Sequence, residues 1–158
     1  MKKFACLTVA TLVTAAVAAV PDAVSYPEDY RAWTHVKSMV IEPGHPLHGT
    51  FGGIHHLYAN DAAMRGYRSG RFPDGAVIVF DLLSAESKDH TVTEGARKVV
   101  GVMQRDAKRF AATGGWGFEG FAGDSRAERV VGEKAASACF ACHQSQQANG
   151  FVFSRYRP

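Results

Sequence analysis

Three residues near the end of the chain combine chemical types and a spacing that could anchor a cofactor. Cys139 and Cys142 are separated by two residues, and His143 follows directly. Two thiols on one helical turn can add to the two vinyl groups of haem, and the next histidine can then bind the iron. The preceding segment, 135–138, is Ala-Ala-Ser-Ala, which favours a helix. The sequence therefore predicts one covalent haem c per chain, attached through Cys139 and Cys142, with His143 as proximal iron ligand.

A plain disulfide or a redox-active dithiol is the alternative interpretation of this cysteine pair. Redox pairs of the thioredoxin type open a helix within a strand–helix–strand unit. Cys139 and Cys142 lie close to the C-terminus, and no strand–helix repeat follows them. The adjacent His143 favours haem attachment over both alternatives.

The first residues have the pattern of an export signal. Lys2 and Lys3 precede an uncharged stretch from Phe4 to Val20, and the small residues 17–19 fit a cleavage site. We expect residues 1–19 to be a cleaved signal peptide, with cleavage one residue earlier as a variant. An uncleaved membrane anchor is the alternative, but the apolar stretch is at the lower limit of spanning length. The mature chain is then predicted to work in the periplasm, without a membrane anchor.

Length and composition predict a single globular domain over residues 20–158. The chain has 158 residues, of which 46% are hydrophobic and 21% charged. Its net charge is +3, and Lys2 and Lys3 contribute two of those charges. The nearly neutral remainder gives no support for binding to nucleic acid or to an anionic membrane.

Strand patterns outnumber helix patterns, so we expect an α+β fold with a mainly antiparallel sheet and a few helices, one of them carrying the haem motif. Strands are predicted at 55–58, 76–80, 97–106 and 116–121, with turns at 72–75 and 113–115. A helix is predicted to begin within 26–33 and to continue past Val36, Met39 and Val40. Asn60 is expected to cap a helix over 61–69, after a structured loop over 41–53.

Two further patterns resemble binding motifs but are better explained otherwise. The glycines of 115–120 match a dinucleotide-binding loop, yet the aromatic residues between them alternate as in a strand packed against something flat. His45, His48, His55 and His56 have no paired metal-ligand spacing and no nearby thiolate. We interpret these histidines as surface residues, one of which could bind a haem propionate.

Several motifs, taken in order, resemble those of the cytochrome P-460 family, and the likeness covers nearly all of the mature chain. They are His55-His56-Leu57-Tyr58-Ala59-Asn60, Phe72-Pro73-Asp74-Gly75-Ala76, Gly114-Gly115-Trp116-Gly117-Phe118-Glu119, the cysteine–histidine segment, and Asn149-Gly150-Phe151-Val152-Phe153-Ser154. The non-cross-linked cytochrome c′-beta branch is the most similar. This resemblance implies a homodimer with five-coordinate haem c.

The resemblance also implies that phenylalanines cap the open face of the iron. Phe51 and Phe80 are the positions that correspond. Such a distal pocket implies binding of nitric oxide and carbon monoxide, for scavenging or transport, and a gas-binding protein rather than an enzyme. Both rings could instead be ordinary core residues.

A hydroxylamine or nitric oxide oxidoreductase is the first alternative function. The catalytic members of the family carry a lysine cross-linked to the haem, but the strand after Gly75 has none, and Lys88 falls in a predicted exposed turn at 87–90. Glu119 and Glu133 are candidates for the proton-transfer acid.

An electron-transfer cytochrome is the second alternative. Its second axial ligand would be Met39, Met64 or Met103, but each of these lies in an apolar pattern more typical of core.

Covalent attachment makes a direct prediction about mass. The mature protein, expressed with haem-maturation machinery, should exceed its polypeptide mass by one haem and give the pyridine haemochrome spectrum of haem c. Cys139→Ser together with Cys142→Ser should remove both signals. A wild-type mass equal to the bare polypeptide would contradict the assignment.

Overall fold

The computed structural model describes residues 24–158, which form a five-stranded antiparallel sheet. The strands pair in chain order, so each one lies beside its neighbour in sequence. The predicted signal peptide, 1–19, lies outside the described residues. The strands are β1 (Thr34–Ile41), β2 (Gly53–Ala59), β3 (Val77–Lys88), β4 (Thr91–Arg105) and β5 (Trp116–Ala122).

Short helices connect the strands. They are α1 (His48–Phe51), α2 (Asp61–Ser69) and the 3₁₀ turns Tyr30–Ala32 and Ala111–Thr113. A C-terminal helical segment follows, made of Gly132–Lys134, Ala135–Phe140, Ala141–His143 and Gln144–Asn149. This arrangement confirms the predicted α+β fold class. No helix between residues 24 and 158 has the length and apolar character needed to cross a membrane.

Helix α2 begins and ends as the sequence predicts. The Asn60 side-chain oxygen accepts hydrogen bonds from the backbone N–H groups of Ala63, at 2.9 Å, and Val77, at 3.1 Å. Its amide nitrogen donates to the Gly75 carbonyl at 2.9 Å. The helix ends at Gly70, whose φ of 74° is in the left-handed region that glycine tolerates. Asn60 thus caps α2 and also joins it to the start of β3.

The predicted helix extending from 26–33 is wrong. Only the 3₁₀ turn Tyr30–Ala32 is helical there, and the residues expected to extend the helix, Val36, Met39 and Val40, all lie in β1. Four of the eight residues of β1 are β-branched, which favours a strand, and pairing with β2 satisfies the backbone. The predicted loop over 41–53 contains the single helical turn α1.

Strands β3 and β4 are longer than predicted because they form one long hairpin. The chain turns within the predicted segment 87–90, but Ser87 and Lys88 belong to β3, so the turn is only Asp89 and His90, which have φ values of 50° and 59°. Two successive left-handed residues are the requirement of a tight hairpin turn, and aspartate tolerates that conformation. Because the two strands pair up to the turn, the polar residues on either side of it are part of β3 and β4.

The sheet has two buried faces. The C-terminal face, which packs against the C-terminal helical segment and α2, includes Ala59, Ile78, Trp116, Phe118 and Val152. The N-terminal face, which packs against residues 24–33, includes Val24, Tyr30, Val79, Val100 and Phe121. Successive strand residues point to opposite faces, so Phe80 shares the C-terminal face with Ile78 whereas Asp81 lies on the N-terminal face.

Asp81 fixes the centre of β3 from the N-terminal face. Its carboxylate is fully buried and accepts hydrogen bonds from the Tyr30 hydroxyl at 2.8 Å and from Arg97 Nε at 2.7 Å. Arg31 lies 3.1 Å from the same carboxylate. Burial and the bond to Asp81 raise the pKa of the Tyr30 hydroxyl, so tyrosine stays protonated as the donor. The strand position next to Phe80 is therefore anchored on three sides.

Candidate functional site

His143 lies where it can bind a metal with one ring nitrogen. Its Nδ1 is 2.7 Å from the backbone carbonyl oxygen of Phe151, to which it donates. The ring packs between Phe118 and Phe153, with centroid separations of 5.0 and 4.9 Å. Burial lowers the pKa of His143, which favours the neutral imidazole. The Nε2 lone pair is then free for a ligand, and Nδ1–H is oriented by the backbone as in other histidine–metal centres.

The turn that presents the Phe151 carbonyl is strained. Phe151 has a φ of 66°, rare for an aromatic residue, and follows Gly150 at 63°. The Trp116 indole N–H donates to the Gly150 carbonyl at 2.9 Å, and the Phe151 N–H donates to Gln146 at 2.8 Å. Backbone outliers of this kind persist where surrounding contacts hold them and are common at functional sites. Here the strained turn directs a carbonyl at the ring of His143.

Both cysteines of the motif lie in the C-terminal helical segment, as predicted. Cys139 is half-buried against the C-terminal face and Cys142 is exposed, and both thiols are free. Burial raises the pKa of Cys139. Two thiols within one turn and the adjacent His143 thus lie on the same element, next to the same sheet face.

Phe51 and Phe80 meet on that face although 29 positions separate them. Phe51 ends α1, Phe80 is the fourth residue of β3, and their ring centroids are 5.9 Å apart with an interplanar angle of 87°. Phe80 pairs with Gly101, whose missing side chain leaves room for the Phe80 ring. Phe80 and Phe118 occupy neighbouring rows of the face, about 7 Å apart along the strand direction.

His55 connects the two phenylalanines. It is 2% exposed, its ring centroid lies 4.4 Å from that of Phe80, and its Nε2 is 2.5 Å from the Phe51 carbonyl oxygen. Burial lowers the pKa of His55, so the neutral ring donates its Nε2–H to that carbonyl. Lys98 Nζ donates to the next carbonyl, of Gly52, at 2.9 Å. These two donors hold the loop that carries Phe51.

The residues on this face fit a haem group. A nitrogen donor with a free lone pair, two free thiols and two facing phenyl rings lie on one side of the sheet. Apolar side chains around them remain exposed: Phe51 by 37%, Val130 by 54% and Phe153 by 56%. A large, flat, mostly apolar group would cover such a surface, and exposed apolar patches mark binding sites.

The fold is a five-stranded antiparallel sheet followed by a C-terminal helical segment that carries Cys139, Cys142 and His143. Residues 27–154 match the family model described as Cytochrome P460, so the chain belongs to the cytochrome P460 family. The family implies a haem c cofactor. A comparison with curated proteins gives no significant match.

The sequence favours the interpretation of the other histidines as surface residues and of the glycine-rich stretch as a strand. The structure agrees with these interpretations only in part. Within residues 24–158 no group of three or more His, Cys, Asp or Glu side chains is arranged to hold a metal. His55 is buried, however, so its interpretation as a surface residue is wrong. The glycine-rich stretch lies in β5 as predicted, and Gly117 packs against the ring of Phe110, where a Cβ would lie 2.3 Å from it.

Sequence reasoning missed three contacts of the site: the His55 donor, the Lys98 donor and the Phe151 carbonyl. The alternation of side chains within β2 could have indicated that His55 is buried, because His55 lies two positions from Leu57 and so shares its apolar face. Lys98 and Gly52 are 46 positions apart, and no local pattern indicates their contact. His143 and Phe151, in contrast, are eight positions apart and meet through the strained turn at Gly150 and Phe151.

Glu119 anchors the segment that leads into the C-terminal helices. Oε1 accepts the backbone N–H groups of Gly120 at 2.9 Å and of Val131 and Gly132 at 3.1 Å, and Oε2 lies 3.0 Å from Arg129. Burial raises the pKa of Glu119, but these four donors outweigh burial and the net pKa is lowered. The carboxylate is occupied as a structural acceptor, which argues against a role in proton transfer.

We expect Glu119→Gln to destabilise the protein by about 1–3 kcal/mol at neutral pH, because a buried acceptor loses its charge. A carboxylate with a lowered pKa stabilises the fold above its ordinary value of 4.5 and loses that contribution as pH falls below it. The difference from wild type should therefore shrink below about pH 4.5. Urea unfolding of the haem-loaded protein across pH 3–7 measures it.

Glu133→Gln is the matched control, since Glu133 is exposed in its helical turn. It should unfold like the wild type at every pH. A Glu119→Gln protein as stable as wild type, or equally weakened at pH 3 and pH 7, would contradict the anchoring role.

Proposed function

We propose that this protein is a periplasmic, five-coordinate haem c protein of the c′-beta kind that binds nitric oxide and carbon monoxide in an apolar distal pocket. One haem per chain is attached through Cys139 and Cys142, with His143 as proximal ligand. The observation that carries the proposal is the edge-to-face pair of Phe51 and Phe80, on the same sheet face as His143. The role is gas binding, for scavenging or transport, rather than catalysis.

On the proximal side, the contacts of His143 prepare its Nε2 atom to bind iron. Haem held here would supply an iron atom that can bind diatomic gases. His143 donates Nδ1–H to the Phe151 carbonyl, and this bond fixes the tautomer and ring orientation and makes Nε2 a stronger donor. Phe118 and Phe153 pack on the ring and limit its rotation.

The distal side offers apolar contact from the phenylalanine pair. Phe51 and Phe80 are hydrocarbons, and the nearby Nε2–H of His55 is already donated to the Phe51 carbonyl. Bound oxygen develops charge separation that a distal donor stabilises, whereas nitric oxide and carbon monoxide need little such help. The pocket therefore favours these two gases over oxygen.

Oxidation of hydroxylamine is less well supported. Lys88 lies eight residues beyond Phe80 in β3, roughly 26 Å along the strand, and cannot reach a group covered by Phe80. Lys98 is closer to the distal loop, but its ammonium is bound to the Gly52 carbonyl. Glu119 has all its acceptor positions occupied, so neither a cross-link nor a proton-transfer acid is favoured.

Electron transfer with methionine as second ligand is also disfavoured. Met64 is 3% exposed inside α2, and Met103 packs against the C-terminal face in the row of Phe118. Met39, in the edge strand opposite His55, is 42% exposed and is the methionine on the distal side. A methionine-ligated iron would require Met39 to turn inward past the phenylalanine pair.

The homodimer implied by the family resemblance belongs to the same proposal. The outer edge of β1 has no partner strand among the described residues, and its Met39 and Val40 are exposed. Unpaired strand edges are sites where a second chain can add.

Replacing either ring should open the distal side. In Phe80→Ala and Phe51→Ala, we expect carbon monoxide to bind the ferrous protein at least about tenfold faster, a reduction of about 1.4 kcal/mol in the barrier, because gas no longer displaces a ring. Stopped-flow mixing measures the rate.

Phe80→Leu and Phe51→Leu are the matched controls, since they keep apolar bulk and should accelerate binding less. Thermal unfolding is measured in parallel because a buried Phe→Ala change costs roughly 3–5 kcal/mol, and the cost should be smaller for Phe51, which is partly exposed. If both alanine variants stay folded and bind carbon monoxide at the wild-type rate, the two rings are ordinary core and the distal proposal is wrong.

A further inference from the structure

The edge of the sheet farthest from β5 carries a polar cluster that the haem site does not use. Ser38 and His56 are directly paired between β1 and β2, and His35 lies diagonally across from His56. His35 Nε2 is 2.8 Å from Ser38 Oγ, and His56 Nδ1 is 2.6 Å from the same oxygen. Two imidazole nitrogens therefore converge on one hydroxyl.

This cluster lies on the opposite face from the phenylalanine pair. His55 and His56 are neighbours in β2, so His55 points to the C-terminal face and contacts Phe80 whereas His56 points to the N-terminal face. Ser38 and His35 are exposed, and the His56 side chain is 16% exposed. The cluster thus lies at the surface, with its β1 residues exposed and its β2 histidine half-buried.

A carboxylate lies on the far side of His56. Glu94 Oε1 is 2.6 Å from His56 Nε2. The contact is electrostatic, because its alignment does not meet that of a hydrogen bond, yet a negative charge there favours the proton on Nε2. Nδ1 then presents its lone pair towards Ser38. Arg31, 3.9 Å from Glu94 and 3.1 Å from Asp81, is the cation nearest this carboxylate, and the buried Asp81 balances its charge.

We propose that His35 and His56 form a binding site for a divalent transition-metal ion, with Cu²⁺ the tightest. Imidazole nitrogens suit copper, which accepts a tetragonal set of nitrogen and oxygen ligands and binds such sites more strongly than its first-row neighbours. The ion enters between the two nitrogens, where Ser38 Oγ now bridges them. The hydroxyl and water complete the coordination, and Glu94 acts from outside by orienting His56, as carboxylates do at many histidine–metal centres.

The test uses the ferric, haem-loaded protein titrated with Cu²⁺ alone and followed by electron paramagnetic resonance. The wild type should bind one Cu²⁺ per chain whose spectrum shows coupling to two imidazole nitrogens. His35→Asn and His56→Asn should each weaken that binding at least about tenfold and leave coupling to one nitrogen. Glu94→Gln should weaken binding by about tenfold while keeping the two-nitrogen pattern.

His90→Asn is the matched control, because His90 is an exposed histidine at the tip of the β3–β4 hairpin and asparagine tolerates its left-handed backbone. It should bind copper as the wild type does. His35 is exposed, so its variant tests the site even if changes at His56 disturb folding. Copper affinity and nitrogen coupling that are unchanged in His35→Asn, or a wild-type signal that disappears in His90→Asn, would overturn the proposal.

Discussion

The alternation of side chains between the two faces of a single sheet is the constraint on which the rest of the structure depends. Phe80 and Asp81 are neighbours, yet one faces the C-terminal helical segment and the other is buried against Tyr30 and Arg97. A shift of one residue in register would exchange them and place a carboxylate in the apolar site. The buried hydrogen bonds of Asp81 therefore also specify the position of Phe80.

The same alternation separates two chemistries in β2. His55 is buried beside Phe80 as a neutral donor to the backbone, and His56, half-buried on the opposite face, lies beside Ser38. Apolar and polar functions can coexist in neighbouring residues because the sheet lies between them. The C-terminal helical segment adds a second constraint, since the cysteines and His143 are brought to one face by a strained turn at Phe151 and by the Glu119 anchor.

Much of this arrangement follows from local patterns. The spacing of Cys139, Cys142 and His143 and the asparagine cap of α2 are short-range signals, and the structure places both elements as expected. The conformation of residues 34–41 does not follow from local spacing, because Val36, Met39 and Val40 also fit the apolar face of a helix. Pairing with β2 makes this segment a strand. The contact of Lys98 with Gly52 joins segments 46 positions apart, which no local spacing contains. The His55–Phe51 and His143–Phe151 contacts are four and eight positions apart and depend on the backbone geometry of the turns between them.

The electronic absorption spectrum of the purified protein tests the central claim most directly, because it reports haem type, coordination and cross-linking together. We expect the spectra of high-spin, five-coordinate haem c in both the ferric and the ferrous states, with no red shift on reduction. A low-spin spectrum would show a second protein ligand such as Met39, and a red-shifted ferrous band would show a lysine cross-link; either result would contradict an open iron site beneath Phe51 and Phe80.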